Sequence, residues 1–151
     1  MTNEIWNAIK NQAYDLEFDW FGIDKAGQIS VFSSFNRGYV PKKVLLSLEK
    51  YLKLQQLILD LPKITTAKIY TQEKGNFSDW ISYSEKGIFG FDYQDAHRVD
   101  KINQYDLITQ PDKSLMAENI KNVNYFNDII PIFDLTFEDD ISFEKLKYCE
   151  I

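Results

Sequence analysis

The chain has 151 residues, of which 44% are hydrophobic and 26% are charged, and its formal net charge is −6. Its aromatic side chains (11 Phe, 9 Tyr and 3 Trp) are too many for a disordered chain. Its longest purely apolar runs are triplets such as Leu57-Ile58-Leu59, whereas a membrane span needs about 20 residues. The negative charge argues against binding to nucleic acid or to an anionic membrane surface. We therefore expect a soluble, cytoplasmic chain that forms a single domain over residues 1–151.

The N-terminal half contains the clearest predicted elements. Thr2 is a candidate cap for a short first helix. Two strand-like runs, 17–24 and 28–32, flank Asp24-Lys25-Ala26-Gly27, where a type I turn with glycine in the left-handed position predicts a bulged hairpin. The spacing of leucines then predicts one helix over residues 41–60, with Pro41 at its first position.

The C-terminal half alternates shorter elements. Residues 63–71 fit either a short strand or a connection. Residues 78–86 read as a helix capped by Ser78 and stopped by Gly87. Strands are predicted over 88–93 and 105–109, and a polar turn region lies between them. These short connections between strands favour an α+β domain, in which an antiparallel sheet has its helices packed on one face.

The predicted core combines residues from the hairpin, the long helix and the later strands. Its candidates are Trp20, Ile23, Ile29, Val31, Val44, Leu45, Leu48, Leu52, Phe89, Phe91 and Phe137.

Two segments suit a partner-binding surface. Phe35, Arg37 and Tyr39 place two aromatic rings around an arginine in a loop, and these side-chain types dominate interface energetics. An equally good interpretation is that the rings anchor the loop to the following helix. Glu138, Asp139 and Asp140 form an acidic triplet that could steer a basic partner, although a charged turn explains it equally well.

The single histidine defines the alternative, enzymatic interpretation. His97 lies in a loop with Asp92, Asp95 and Asp100, which could form a general-base site or a metal site with one nitrogen and several oxygen ligands. A solvated turn rich in aspartate is the simpler interpretation. No phosphate-binding glycine motif, nucleophile elbow or two-histidine zinc motif is present, so the sequence predicts no cofactor.

Glu17 and Asp19 alternate on one predicted strand face, which allows a site with two carboxylates. We favour the interpretation that they form the solvated face of a strand whose other face carries Phe18 and Trp20.

Two blocks carry a resemblance. Residues 19–29 (DWFGIDKAGQI) and 87–93 (GIFGFDY), followed by Tyr105 and Pro111, resemble blocks of small uncharacterised bacterial proteins. Some of those proteins look like immunity proteins, which neutralise a toxin of a contact-dependent or polymorphic system. The resemblance implies no catalytic residue. With the acidic charge, it favours a non-enzymatic protein-binding domain whose partner is basic; the alternative is a small hydrolase or metal-dependent enzyme.

Overall fold

The computed structural model describes residues 1–94 and 99–151 of the protein. Its helices and strands, in chain order, are α1 (Asn3–Lys10), β1 (Asp19–Ile23), β2 (Ile29–Ser33), α2 (Leu48–Leu59), β3 (Ala67–Ile69), α3 (Ser78–Glu85), β4 (Phe89–Asp92), β5 (Gln104–Pro111), β6 (Ile141–Ser142) and α4 (Phe143–Cys149). The strands form one sheet in the order β1-β2-β4-β5-β3, and β6 also pairs with β5. The α+β class is confirmed.

The sheet is mixed, so the prediction of a purely antiparallel sheet is wrong. β2 and β4 run parallel, with Ser33 opposite Asp92, while the other neighbours are antiparallel. A parallel pair needs a long crossover connection. Residues 34–88 provide it, since α2, β3 and α3 all lie between the two strands.

Two hydrophobic clusters divide the core. Trp20 and Phe32 belong to the first cluster, whereas their strand neighbours Phe21 and Val31 belong to the second. Because successive strand side chains point to opposite faces, both faces of the sheet are covered. Leu146 of α4 packs in the first cluster and Leu54 of α2 in the second, so the helices do not share one face as predicted.

Most of the predicted core is buried. Seven of the candidates are buried, namely Trp20, Ile29, Val31, Val44, Phe89, Phe91 and Phe137. The other four, Ile23, Leu45, Leu48 and Leu52, are partly buried against the two clusters.

The hairpin prediction is confirmed. β1 and β2 pair from Asp19↔Ser33 to Ile23↔Ile29, and Gly27 has a φ of +88° at the turn. The amide of Gly27 donates to the carbonyl oxygen of Asp24 over 3.0 Å, which closes the turn.

The predicted helix over 41–60 is two elements rather than one. A 3₁₀ turn, Lys42–Leu45, precedes α2, and Ser47 lies between them in an extended conformation. The Ser47 hydroxyl accepts a hydrogen bond from the Lys50 amide over 3.2 Å. A hydroxyl that caps a new helix at this point explains why the leucine pattern does not form one continuous helix.

Of the remaining predictions for helix ends, two are correct and one is wrong. Thr2 caps α1 as predicted, and Gly87 follows α3 with a φ of +91°. A side chain at Gly87 would also place a Cβ 2.5 Å from the Leu115 nitrogen. Ser78 is not the cap of α3, because it is the first helical residue and its amide donates to Asn76 Oδ1. No helix of the described residues is long and apolar enough to span a membrane.

Candidate functional site

A pocket of about 420 Å³ lies at the edge of the sheet where β1 begins and where β2 and β4 end. Asp19, Ser33 and Asp92 are the end residues of these three strands, and all three line the pocket. The carboxyl ends of parallel strands meet at one edge of a sheet, a common position for ligand sites. The parallel pairing of β2 with β4 is therefore what brings Asp92 close to Asp19.

The three residues also share one register. Asp19 is the partner of Ser33 across β1 and β2, and Ser33 is the partner of Asp92 across β2 and β4. Directly opposed residues point to the same face, and neighbouring strands are about 5 Å apart. Asp106 of β5 continues the row, as the partner of Asp92. Two carboxylates thus flank one serine hydroxyl on the floor of the pocket.

Helices α2 and α3 supply the walls. Tyr51 and Gln55 lie four residues apart on α2, and on α3 Tyr83 lies four residues after Asp79 and three after Trp80, spacings that place side chains on one helix face. The remaining lining residues are Met1, Glu17, Phe18, Phe35 and Tyr93. The described lining therefore contains four acidic residues and six aromatic rings, and no lysine, arginine or histidine.

The floor disfavours two negative charges. Burial, followed by the charges of Asp19 and Asp106, raises the pKa of Asp92 to about 7. Burial also raises the pKa of Asp19, although hydrogen bonds from Ser33 and Tyr83 oppose the change. Desolvation and a neighbouring carboxylate both favour the neutral acid. At neutral pH the pair therefore holds a proton for part of the time.

The tyrosine hydroxyls in the walls fix the position of Asp19. The Tyr51 hydroxyl donates to the Asp19 carbonyl oxygen over 2.7 Å, and the Tyr83 hydroxyl lies 3.5 Å from Asp19 Oδ2. Burial, together with the Asp19 charge, raises the pKa of both phenols. They therefore stay protonated and serve as donors.

The predicted binding loop only partly reaches this pocket. Phe35 lines it, with a positive φ of 51°. Arg37 is exposed and forms an ion pair with Asp15. The Tyr39 hydroxyl donates to Glu150 Oε1 over 3.3 Å, and its ring packs against Phe143. Tyr39 thus anchors the loop to α4 and not to the helix that follows the loop, as the anchoring interpretation expected, while Phe35 has a place in the pocket wall.

The predicted acidic triplet lies beyond the pocket, just before β6. Asp140 Oδ1 accepts a hydrogen bond from the Leu107 amide over 2.8 Å, and Asp139 Oδ1 accepts one from the Tyr70 hydroxyl over 3.1 Å. Glu138 is exposed. Two of the three carboxylates therefore hold neighbouring segments in place.

The four residues predicted to form a metal site or a general-base site have different outcomes. Asp95 and His97 lie outside the described residues, Asp100 is exposed, and Asp92 lies in the pocket. Within residues 1–94 and 99–151, no three acidic, histidine or cysteine side chains are placed to hold a metal ion.

The sequence indicated both carboxylates of the pair, but in two different predicted sites. Glu17 and Asp19 both line the pocket, but Asp19 lies opposite Asp92 through Ser33, and it is not on a solvated strand face. The signal that could have identified the pair is the long segment 34–88, since two helices between two strands are typical of a parallel crossover.

The chain matches no protein-family model, no curated protein and no solved structure.

Proposed function

We propose that this protein is a non-enzymatic protein-binding domain whose partner is a basic protein, and that it acts as an immunity-type neutraliser of a toxin. The observation that carries the proposal is the pocket at Asp19, Ser33 and Asp92, whose described lining has four carboxylates and no basic side chain. A concave site with aromatic walls is the kind of surface into which a partner inserts an anchor residue.

The charge of the whole chain supports the same partner. A net charge of −6 speeds the encounter with a basic protein and slows it with an acidic one. The association rate should therefore fall as the ionic strength rises, because exposed charges are screened over about 10 Å at 0.1 M salt. An association rate that does not change with salt would contradict the electrostatic part of the proposal.

The test is affinity capture from a native lysate with three tagged chains, followed by quantitative mass spectrometry. The chains are the wild type, Asp92→Asn in the pocket, and Glu118→Gln as a control with the same carboxylate-to-amide replacement at an exposed site elsewhere. We expect a basic protein to be retained by the wild type and the control and lost by Asp92→Asn. The same set of bound proteins on all three chains would refute this assignment of the contact site.

An acid–base hydrolase is the second candidate, and one observation favours it. A carboxyl group with a pKa of about 7 beside a second carboxylate is an arrangement that general acid catalysts use. Hydrolysis of chromogenic glycosides or esters that disappears in Asp92→Asn and persists in Glu118→Gln would support the enzyme. Equal residual rates in the two variants would exclude a role for this pair.

A further inference from the structure

We infer that the pocket binds one alkylammonium group, namely the side chain of a lysine, with the cation shared between Asp19, Ser33 and Asp92. This inference rests on the proposed function and names the chemical group of the partner that the pocket receives. It depends on three features of the pocket, which are the register of its floor, the chemistry of its walls and its size.

The register of the floor favours ammonium over guanidinium. Asp19, Ser33 and Asp92 are successive partners across three adjacent strands, so three acceptor groups lie side by side. An ammonium group has three donors and no acceptor, and it can point one donor at each. A guanidinium group is planar and pairs best with the two oxygens of one carboxylate. It therefore matches a floor whose acceptors belong to three separate side chains less well than an ammonium group does.

The walls provide the second, independent reason for a cation. Three of the aromatic rings that line the pocket, those of Phe35, Trp80 and Tyr83, are half-buried, whereas the rings of Tyr51 and Tyr93 are buried within the wall. The face of an aromatic ring attracts a cation, and rings grouped around a cavity are a common way to bind alkylammonium groups. The same rings also cover the apolar stem of a lysine, which leaves only the charged end to be neutralised.

The site is large enough to admit a lysine side chain. A volume of about 420 Å³ lies within the range of small-ligand pockets, which begins near 300 Å³. Neither Asp19 nor Asp92 forms an ion pair with a lysine or arginine of the described residues. A bound ammonium would supply the positive charge that the floor lacks.

Proton release follows from this arrangement. Among the described residues, the titratable groups that line the pocket or face its floor are Asp106 and Tyr105 from β5, Tyr51 from α2, Tyr83 and Asp79 from α3, Tyr93 after β4, Glu17 before β1 and the α-amino group of Met1. The bound cation favours two ionised carboxylates, so binding at pH 6 displaces a proton from the Asp19–Asp92 pair. The affinity for an ammonium ion should therefore rise about tenfold between pH 5.5 and pH 7.5.

The test is a nuclear magnetic resonance titration of the full chain with n-butylammonium, n-butylguanidinium and n-butanol. The reporter is the indole N–H of Trp80, assigned by its loss in Trp80→Phe. We expect saturable shifts with n-butylammonium, weaker binding of n-butylguanidinium and no specific shift with n-butanol, which has the same apolar stem without the charge. Asp19→Asn and Asp92→Asn should each weaken n-butylammonium binding at least tenfold, while Glu118→Gln leaves it unchanged.

Three results would overturn the inference. They are equal shifts with n-butanol, tighter binding of n-butylguanidinium, or an unchanged n-butylammonium affinity in the two pocket variants. Failure here is distinguishable from failure of the proposed function. If a basic protein is captured by the wild type and lost by Asp92→Asn while n-butylammonium does not bind, the pocket contacts the partner without taking up a lysine. If no basic protein is captured and n-butylammonium does not bind, both proposals are wrong.

Discussion

Strand β1 has a buried or partly buried carboxylate at each end, and the fold gives these two carboxylates different surroundings. Asp24, just after the strand, is 1% exposed and accepts four hydrogen bonds, from the amides of Ala26, Gln28 and Phe137 and from the Gln28 side chain. Asp19, at the start of the strand, shares a pocket floor with Asp92, and burial raises the pKa of both.

The hydrogen-bond partners of the two sites distinguish a structural carboxylate from one that is available to a ligand. At Asp24 the protein supplies a donor to each oxygen, so the charge is compensated within the fold. At Asp19 and Asp92 the protein provides a serine hydroxyl, tyrosine hydroxyls and an aromatic wall. Their charges have no cationic side-chain partner among the described ion pairs, and a ligand from outside could provide one.

The largest expected effect is the loss of Asp24. Asp24→Ala removes the acceptor of four hydrogen bonds and leaves part-buried donors of the hairpin and the buried amide of Phe137 unsatisfied. The free energy of unfolding should fall by about 3 to 5 kcal/mol, measured by urea denaturation. Asp112→Ala is the matched control, because this exposed carboxylate pairs only with the exposed Lys68, and it should cost less than about 0.5 kcal/mol. Equal losses would show that Asp24 is not a structural centre.

Replacing Asp92 should raise the free energy of unfolding, and the size of this gain should depend on pH. The pKa of Asp92 is raised from 3.8 to about 7 in the folded protein, so its ionisation opposes folding. Well below pH 3.8 the carboxyl is neutral in both states and has no effect; as the pH rises through 3.8 towards 7, the unfolded chain ionises first and the folded state loses stability.

Asp92→Asn should remove this loss. At pH 8 the variant should be more stable than the wild type by up to about 4 kcal/mol, and at pH 3.5 the two should be nearly equal. Chemical denaturation of both proteins at a series of pH values measures the difference in their free energies of unfolding. The contributions of the other titrating groups cancel in this difference. A variant that is less stable than the wild type at pH 8 would mean that Asp92 is held by donors in the same way as Asp24.

Lys86 extends the comparison to a cation. Its ammonium donates to the carbonyl oxygens of Ile58 and Leu59 over 3.3 and 2.6 Å, at the C-terminal end of α2. Burial lowers the pKa of Lys86, yet these carbonyls, at the negative end of the helix dipole, compensate its charge. Lys86→Met should cost about 1 to 2 kcal/mol in the free energy of unfolding. Lys53→Met, which removes an exposed pair with Glu49, is the control and should change stability very little.

Local patterns predicted the local structure of this chain well. The turn at Gly27, the cap at Thr2 and the helix stop at Gly87 depend on residues within a few positions of one another, and all three are confirmed. The capping hydroxyl of Ser47 was a local signal too, but the leucine spacing on both sides concealed it.

The pocket could not be predicted in the same way, because its residues are distant in the sequence. Ser33 and Asp92 meet only through the parallel pairing of β2 with β4, and α2 and α3 close the pocket only after the chain between these strands has crossed over. The antiparallel interpretation separated Asp92 from Asp19 and placed its chemistry in the following loop. A wrong strand direction thus led to a wrong grouping of site residues, although Asp19 and Asp92 had each been considered.

The smallest expected effect concerns Arg37, which was predicted to bind a partner. Its guanidinium and the carboxylate of Asp15 form an ion pair in which both side chains are about half exposed, at 57% and 43%. Water solvates both charges in the folded and unfolded states, so Arg37→Gln should leave the free energy of unfolding almost unchanged. Urea denaturation at 0.05 M and 0.5 M salt should reveal little difference between variant and wild type. A clear loss of stability at both salt concentrations would show that this loop, and not only the buried carboxylates, depends on compensated charge. If stability is unchanged, any loss of binding to a captured partner by Arg37→Gln can be assigned to a direct contact with that partner.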